Sequence, residues 1–126
     1  MPDPDDVRTR TARRGEQAVV DLLAGRGFAI DERNLRLGRG EIDIVASRGP
    51  LTVLVEVKSR TGPARGRPEE AVTPRKREQL RKLGRMYAAR RPGRRYRFDV
   101  ASVTWDGDGR PRVRYFENAF TMTDGP

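Results

Sequence analysis

Residues 38–60 read GRGEIDIVASRGPLTVLVEVKSR. Apolar side chains alternate on both sides of the turn signal SRGP, so residues 41–46 and 51–58 read as two strands joined by a tight turn. In the second strand Leu51, Val53, Val55 and Val57 alternate with Leu54, so both of its faces are apolar. A strand of this kind belongs in a sheet covered on both sides by helices. Three charges interrupt the pattern: Asp43 in the first strand, Glu56 and Lys58 in the second. Desolvating a carboxylate costs several kcal/mol unless something compensates it. These groups therefore face water, or a cation waits for them.

Outward from this hairpin, the 3.6-residue period predicts a helix over 8–26, with Ala12, Val19, Val20 and Leu23 on one face and Gly27 ending it. Glu16 shares that apolar face and needs a partner. Residues 28–36 read weakly as a strand. On the other side, TGPARGRP (61–68) is a basic loop. Thr73 then caps a helix over 74–90 with Pro74 at its first position, turning Leu80, Leu83, Met86 and Tyr87 inward. Residues 95–105 form a strand, DGDG is a hairpin turn, and 112–116 pairs back. The order is α-β-β-β-α-β-β, an α/β arrangement. The expected organisation is one domain over 8–120 between tails at 1–7 and 121–126.

Composition narrows the chemistry. The 126 residues contain neither cysteine nor histidine. Disulfides, thiolate zinc sites, Ser-His-Asp catalysis and imidazole acid–base chemistry are excluded. Catalysis would have to use carboxylates, lysine, arginine, hydroxyls or a hard metal held by oxygen. No apolar run reaches the about 20 residues of a membrane span, and the acidic, Pro-rich MPDPDD start is unlike a signal peptide. The expectation is a cytoplasmic protein with no membrane partner. The net charge of +9 and pI near 11.1 point to a polyanion, most often nucleic acid. Of the 27 cations only Lys58, Lys76 and Lys82 are lysine. A lysine kept in so arginine-biased a chain hints at a site that wants a compact ammonium.

The period of two puts Glu41 and Asp43 on one face of their strand and Glu56 and Lys58 on one face of theirs. If the strands pair around the turn, these sets meet, and Glu16 can cap the cluster from the first helix. Up to four carboxylates and one ammonium would converge near a sheet edge. Clustered carboxylates repel, and Mg²⁺, which prefers oxygen ligands, resolves the repulsion. A metal also acidifies water into a nucleophile, and a lysine beside it can neutralise charge on a phosphate. Each piece alone has a bland reading: a wet strand face, a solvated strand end, an Arg-paired glutamate. The combination on helix, strand, turn and strand is what points to phosphodiester hydrolysis.

The stretches RRGEQAVVDLLAGRGF and GRGEIDIVA…LVEVKSR resemble the restriction-endonuclease-like superfamily with its Asp…(Asp/Glu)-x-Lys motif. More closely, with EAVTPRKREQL, RFDVASV and ENAF, the chain resembles the bacterial YraN-type family, uncharacterised protein family 0102, itself similar to archaeal Holliday-junction resolvases. The resemblance runs from about residue 12 to 120. It implies a restriction-endonuclease-like core, a central mixed sheet flanked by helices. It implies Mg²⁺ or Mn²⁺ ligation by Asp43 and Glu56 with the Val57 carbonyl as a further ligand, Lys58 in the catalytic lysine position, and Glu16 as the helical glutamate. Glu41 matches the family's Gly-Glu-Ile-Asp run and joins the ligand set with a less defined role. The resolvases act as dimers, so a homodimer is an arrangement to test, although no diagnostic dimer surface is visible.

The basic elements suit a phosphate backbone. Arg75, Lys76 and Arg77 crowd the first turn of the second helix, where the helix dipole disfavours positive charge. Arg60, Arg65 and Arg67 follow Lys58 directly. Such contacts would be salt-sensitive and blind to sequence. Tyr87 and Trp105 are expected in the core and not as base-stacking platforms. Three readings stay open: a metal-dependent endonuclease acting on DNA, including branched or structured DNA; a nucleic-acid-binding protein on a nuclease fold without turnover; and a basic scaffold for a protein partner.

Overall fold

The computed structural model of the chain describes residues 7–60 and 72–120. Helix α1 (Val7–Gly25) leads into strands β1 (Ala29–Leu37), β2 (Gly40–Arg48) and β3 (Leu51–Ser59). Helix α2 (Pro74–Arg90) precedes strands β4 (Arg95–Trp105) and β5 (Pro111–Phe120). The five strands form one mixed sheet in sequence order, antiparallel except for the parallel β3–β4 pair that α2 connects. The fold is the expected α/β arrangement, with α2 and β4 at the predicted boundaries and β5 longer than predicted at both ends. Thr73 caps α2 as anticipated, its hydroxyl accepting the Lys76 amide at 3.2 Å.

The two faces of β3 divide the core. Val53 and Val55 join Val19, Leu23, Phe28, Ile44, Ala101 and Val103 under α1. Leu54 joins Val45, Leu80, Leu83, Tyr87, Phe98 and Val100 under α2. Alternation along a pleated strand sends neighbouring residues to opposite faces, so each helix has its own apolar layer.

Two helix-facing expectations are corrected. Ala12 is exposed, and the buried stripe of α1 runs through Gly15, Val19 and Leu23. Met86 is 38% exposed, whereas Leu80, Leu83 and Tyr87 are buried. In both helices the apolar row is narrower than the sequence pattern implied, because the closest approach to the sheet is made by small residues. A Cβ on Gly15 would stand 1.9 Å from Ser59 Oγ. That contact presses α1 onto the end of β3 and sets the depth at which Glu16 enters.

Asp99 on β4 is a buried carboxylate whose needs are met internally. Arg97 donates to both of its oxygens at 2.9 Å, the Asn118 amide donates to Oδ1 at 2.8 Å, and the Tyr115 hydroxyl donates to Oδ2. The β4–β5 register shifts at this point, between Phe98 and Val100. Burial and the neighbouring carboxylate push the Tyr115 phenol well up from its ordinary value. The network ties β5 to the sheet and is structural.

Among the described residues no helix is long and apolar enough to cross a membrane. The expected tails at 1–6 and 121–126 lie outside the described residues. Val7, expected in the first tail, begins α1.

Candidate metal and phosphate site

The site forms where two strands part. The β2–β3 ladder runs from Arg48↔Leu51 to Ile44↔Val55 and ends there. At the next position the side chain of Asp43 stands in for a ladder partner: the Val57 N–H donates to Asp43 Oδ2 at 2.8 Å. An amide that would have bonded a carbonyl bonds a carboxylate instead, and the strands open a notch. The Val57 amide meets Asp43; its carbonyl, the group expected as a metal ligand, is not engaged by this contact.

Glu56 points into the same notch and is coupled to Asp43 by a side-chain hydrogen bond. Burial and the adjacent Asp43 push the Glu56 carboxyl up to about 7. Burial likewise raises Asp43, partly offset by the Val57 amide, with the Glu41 charge adding to the rise. Two carboxyls raised together are two negative charges short of a cation.

Two ammonium groups partly supply it. Lys58 Nζ lies 3.9 Å and Lys76 Nζ 4.0 Å from the same atom, Glu56 Oε1. The Glu56 side chain is 8% exposed, while Lys58 and Lys76 are 38% and 33% exposed, so the notch is open at the ammonium side. Lys58 comes from β3 itself. Lys76 comes from the first turn of α2, on the far side of the crossover. The sequence signal for it was its residue type: two of the three lysines in an arginine-rich chain reach one oxygen.

Glu16 approaches from α1 without joining the pair. Burial, then Asp43, raises its pKa, while Arg33 and a hydrogen bond from Asn34 lower it. Its Oε1 is buried with no hydrogen-bond partner. The Glu41 carboxylate lies 3.9 Å from Arg36, its cross-strand neighbour on β1, and is near enough to raise Asp43 and Glu16. The expected convergence of up to four carboxylates on one point is corrected to a pair with Glu16 and Glu41 at its margin. Among the described residues no three acidic groups lie close enough to hold one ion together. Arg36 stands beside Glu41, and Arg33 with Asn34 acts on Glu16 from β1.

The basic residues divide similarly. Arg75 is exposed. Arg77 donates through Nε to the Val72 carbonyl at 3.1 Å. Arg60 is half-buried, its amide held by the Val103 carbonyl at 2.9 Å. Arg65 and Arg67 lie outside the described residues. Tyr87 is in the core as expected. Trp105 is half-buried beneath the Arg14 guanidinium, 4.5 Å from its ring centre.

The model of uncharacterised protein family UPF0102 matches residues 15–103. The chain belongs to this family. A UPF0102 protein of Clavibacter michiganensis subsp. michiganensis is 44% identical over 109 residues, covering 85% of this chain and 92% of that protein. The UPF0102 protein of Symbiobacterium thermophilum is 43% identical over 113 residues, covering 88% and 96%. Anaeromyxobacter dehalogenans has a UPF0102 protein 44% identical over 117 residues, covering 91% and 87%. Among solved structures, Pyrococcus furiosus SfsA in complex with Ca²⁺ is similar over 89% of this chain and 64% of that chain, at 17% identity and a TM-score of 0.41. The span matched to UPF0102 includes Glu16, Glu41, Asp43, Glu56, Lys58 and Lys76.

Proposed function

We propose that this UPF0102 protein is a Mg²⁺- or Mn²⁺-dependent endonuclease that hydrolyses phosphodiester bonds in DNA, with branched or structured DNA within its substrate range. The observation that carries the reading is the side-by-side pair Asp43 and Glu56, with two ammonium groups on one of its oxygens. The donors are hard carboxylate oxygens, and Mg²⁺ commonly takes only one or two of these while keeping its waters. Glu16 Oε1, buried and unpaired at the margin, is a further oxygen that such an ion or its water shell would satisfy. Bound by Asp43 and Glu56, a divalent cation supplies charge neutralisation at a phosphoryl oxygen and a lowered pKa for water.

The remaining roles belong to the chain. Lys58, open to solvent beside Glu56, offsets the negative charge that builds on the phosphate in the transition state. Glu16 orients a water at the α1 side of the notch. The Val57 amide fixes Asp43 through Oδ2 beside Glu56. Arg60, Arg75, Lys76 and Arg77, with Arg65 and Arg67 of the basic loop outside the described residues, are the cations assigned to the phosphate backbone, consistent with the net charge of +9.

A second reading, a nucleic-acid-binding protein without turnover, is favoured by the lack of any three-acid cluster among the described residues. One experiment separates the two. Linear and branched DNA are incubated with the protein in Mn²⁺, Mg²⁺ or EDTA. Cleavage in Mn²⁺ that vanishes in EDTA and in Asp43→Ala and Lys58→Ala supports the nuclease. Salt-dependent binding with no cleavage by the wild type supports the second reading. Absence of any DNA binding overturns both. Glu56→Ala should keep DNA binding and lose Mn²⁺ affinity; an unchanged Mn²⁺ titration would refute the ligand assignment.

A further inference from the structure

A trough lies between the β1–β2 turn and α2 and meets the notch at Lys76, which lines it and reaches Glu56. Its near half, about 310 Å³, is lined by Arg36, Arg39, Glu41, Lys76 and Gln79. Its far half, about 320 Å³, is lined by Leu37, Gln79, Lys82, Leu83 and Met86. The halves share Gly38, Arg39, Gly40 and Gln79, so they are continuous. Along α2 the floor follows one helical row, Lys76, Gln79, Leu83 and Met86. Ten residue-to-residue steps from Lys76 to Met86, at 1.5 Å rise each, make it about 15 Å long.

The trough is held in shape. A Cβ on Gly40 would lie 2.6 Å from Leu83 Cδ1, so the turn seats on the helix as closely as a glycine allows. Its walls are cationic: Arg36, Arg39, Lys76 and Lys82 against Glu41. Its far floor is apolar, with Leu83 beneath and Met86 open to solvent at 38%. Charged walls suit phosphates. An apolar floor gains nothing from phosphates; it gains when a base face covers Met86 and removes apolar area from water. In a duplex those faces are stacked on one another and cannot reach it.

We propose that this trough binds an unpaired nucleic-acid strand running from the Asp43–Glu56 notch toward Met86. The substrate class would then be duplex DNA with a single-stranded arm, such as a flap, fork or overhang. At 3.4 Å per stacked nucleotide the trough takes about four nucleotides. The inference rests on the nucleic-acid reading above and adds which part of the substrate the protein grips.

Fluorescence anisotropy in EDTA tests it without requiring turnover. Three labelled probes of equal duplex length are compared: blunt, with a short single-stranded arm, and the arm sequence alone. The armed duplex is expected to bind about tenfold tighter than the blunt one, from the added phosphate contacts and the covering of Met86. Met86→Glu should abolish that preference while leaving blunt-duplex affinity within about twofold. Arg39→Glu should weaken the armed probe more than the blunt one and flatten its salt dependence. Both side chains are solvent-facing, and a thermal melt matching wild type verifies the fold of each variant. Equal binding of armed and blunt probes overturns the inference and leaves the nuclease reading standing. Equal loss on both probes in Met86→Glu overturns it likewise. No binding of any probe by the wild type overturns both readings together.

Discussion

Replacing Glu56 by glutamine should make the metal-free protein more stable at alkaline pH and no more stable in acid. The sign follows from the carboxyl's two environments. Unfolded, Glu56 titrates near 4.5; folded, burial and Asp43 hold it at about 7. Between those values the folded state binds the extra proton, so stability falls as pH rises through that window. Below 4.5 both states are protonated and nothing is lost. Each pH unit between the two values is worth about 1.4 kcal/mol, so ionising Glu56 costs the folded state about 3 kcal/mol above pH 7. Against a total of about 5–15 kcal/mol, that is a large fraction. Glutamine keeps the shape and never ionises. Urea melts in EDTA at half-unit steps from pH 4.5 to 8.5 should therefore show the variant gaining on wild type, up to about 3 kcal/mol, or roughly 10 °C in Tm. Adding Mn²⁺ should return stability to the wild type alone, by preferential binding to its folded state. A stability difference that stays flat across the whole range would refute the claim that this carboxyl is charge-starved.

Lys76→Ala should push the Glu56 carboxyl still higher, because one of the two ammonium groups on Oε1 is lost; carboxyl NMR titration reads the shift, and Lys76→Gln should reproduce it. Gly15→Ala forces a methyl against Ser59 Oγ and should cost about 1–3 kcal/mol in denaturant melts, with Ser59→Gly restoring most of it. Asp99→Ala strands the Arg97 guanidinium and the Tyr115 hydroxyl. It should cost about 3–5 kcal/mol in the same assay, with no change in Mn²⁺ affinity.

Local pattern carried far in this chain. Alternation in residues 41–46 and 51–58, the Thr73–Pro74 start and the DGDG turn are short-range signals, and the elements they imply are the elements observed. Asp43 and Glu56 were legible as neighbours because period and turn together fix which side chains oppose each other across a hairpin. The outer residues were not. Met86 obeys the same helical period as Leu83, yet only Leu83 is covered, because coverage depends on where α2 meets the sheet. Glu41 lies two residues from Asp43 on the same strand, yet its carboxylate also meets Arg36, supplied by β1.

By itself the sequence determined the elements, their order, the carboxylate pair and the exclusion of thiol and imidazole chemistry. These follow from spacing and residue type, which act over a few positions. Tertiary structure alone decided that β2 leaves β3 after Ile44, that Lys76 crosses from α2 to join Lys58 on Glu56, and that Glu16 stops short of the pair. Each of these depends on how closely a helix approaches the sheet and on which distant charge arrives first. Neither is written in the period of any one segment.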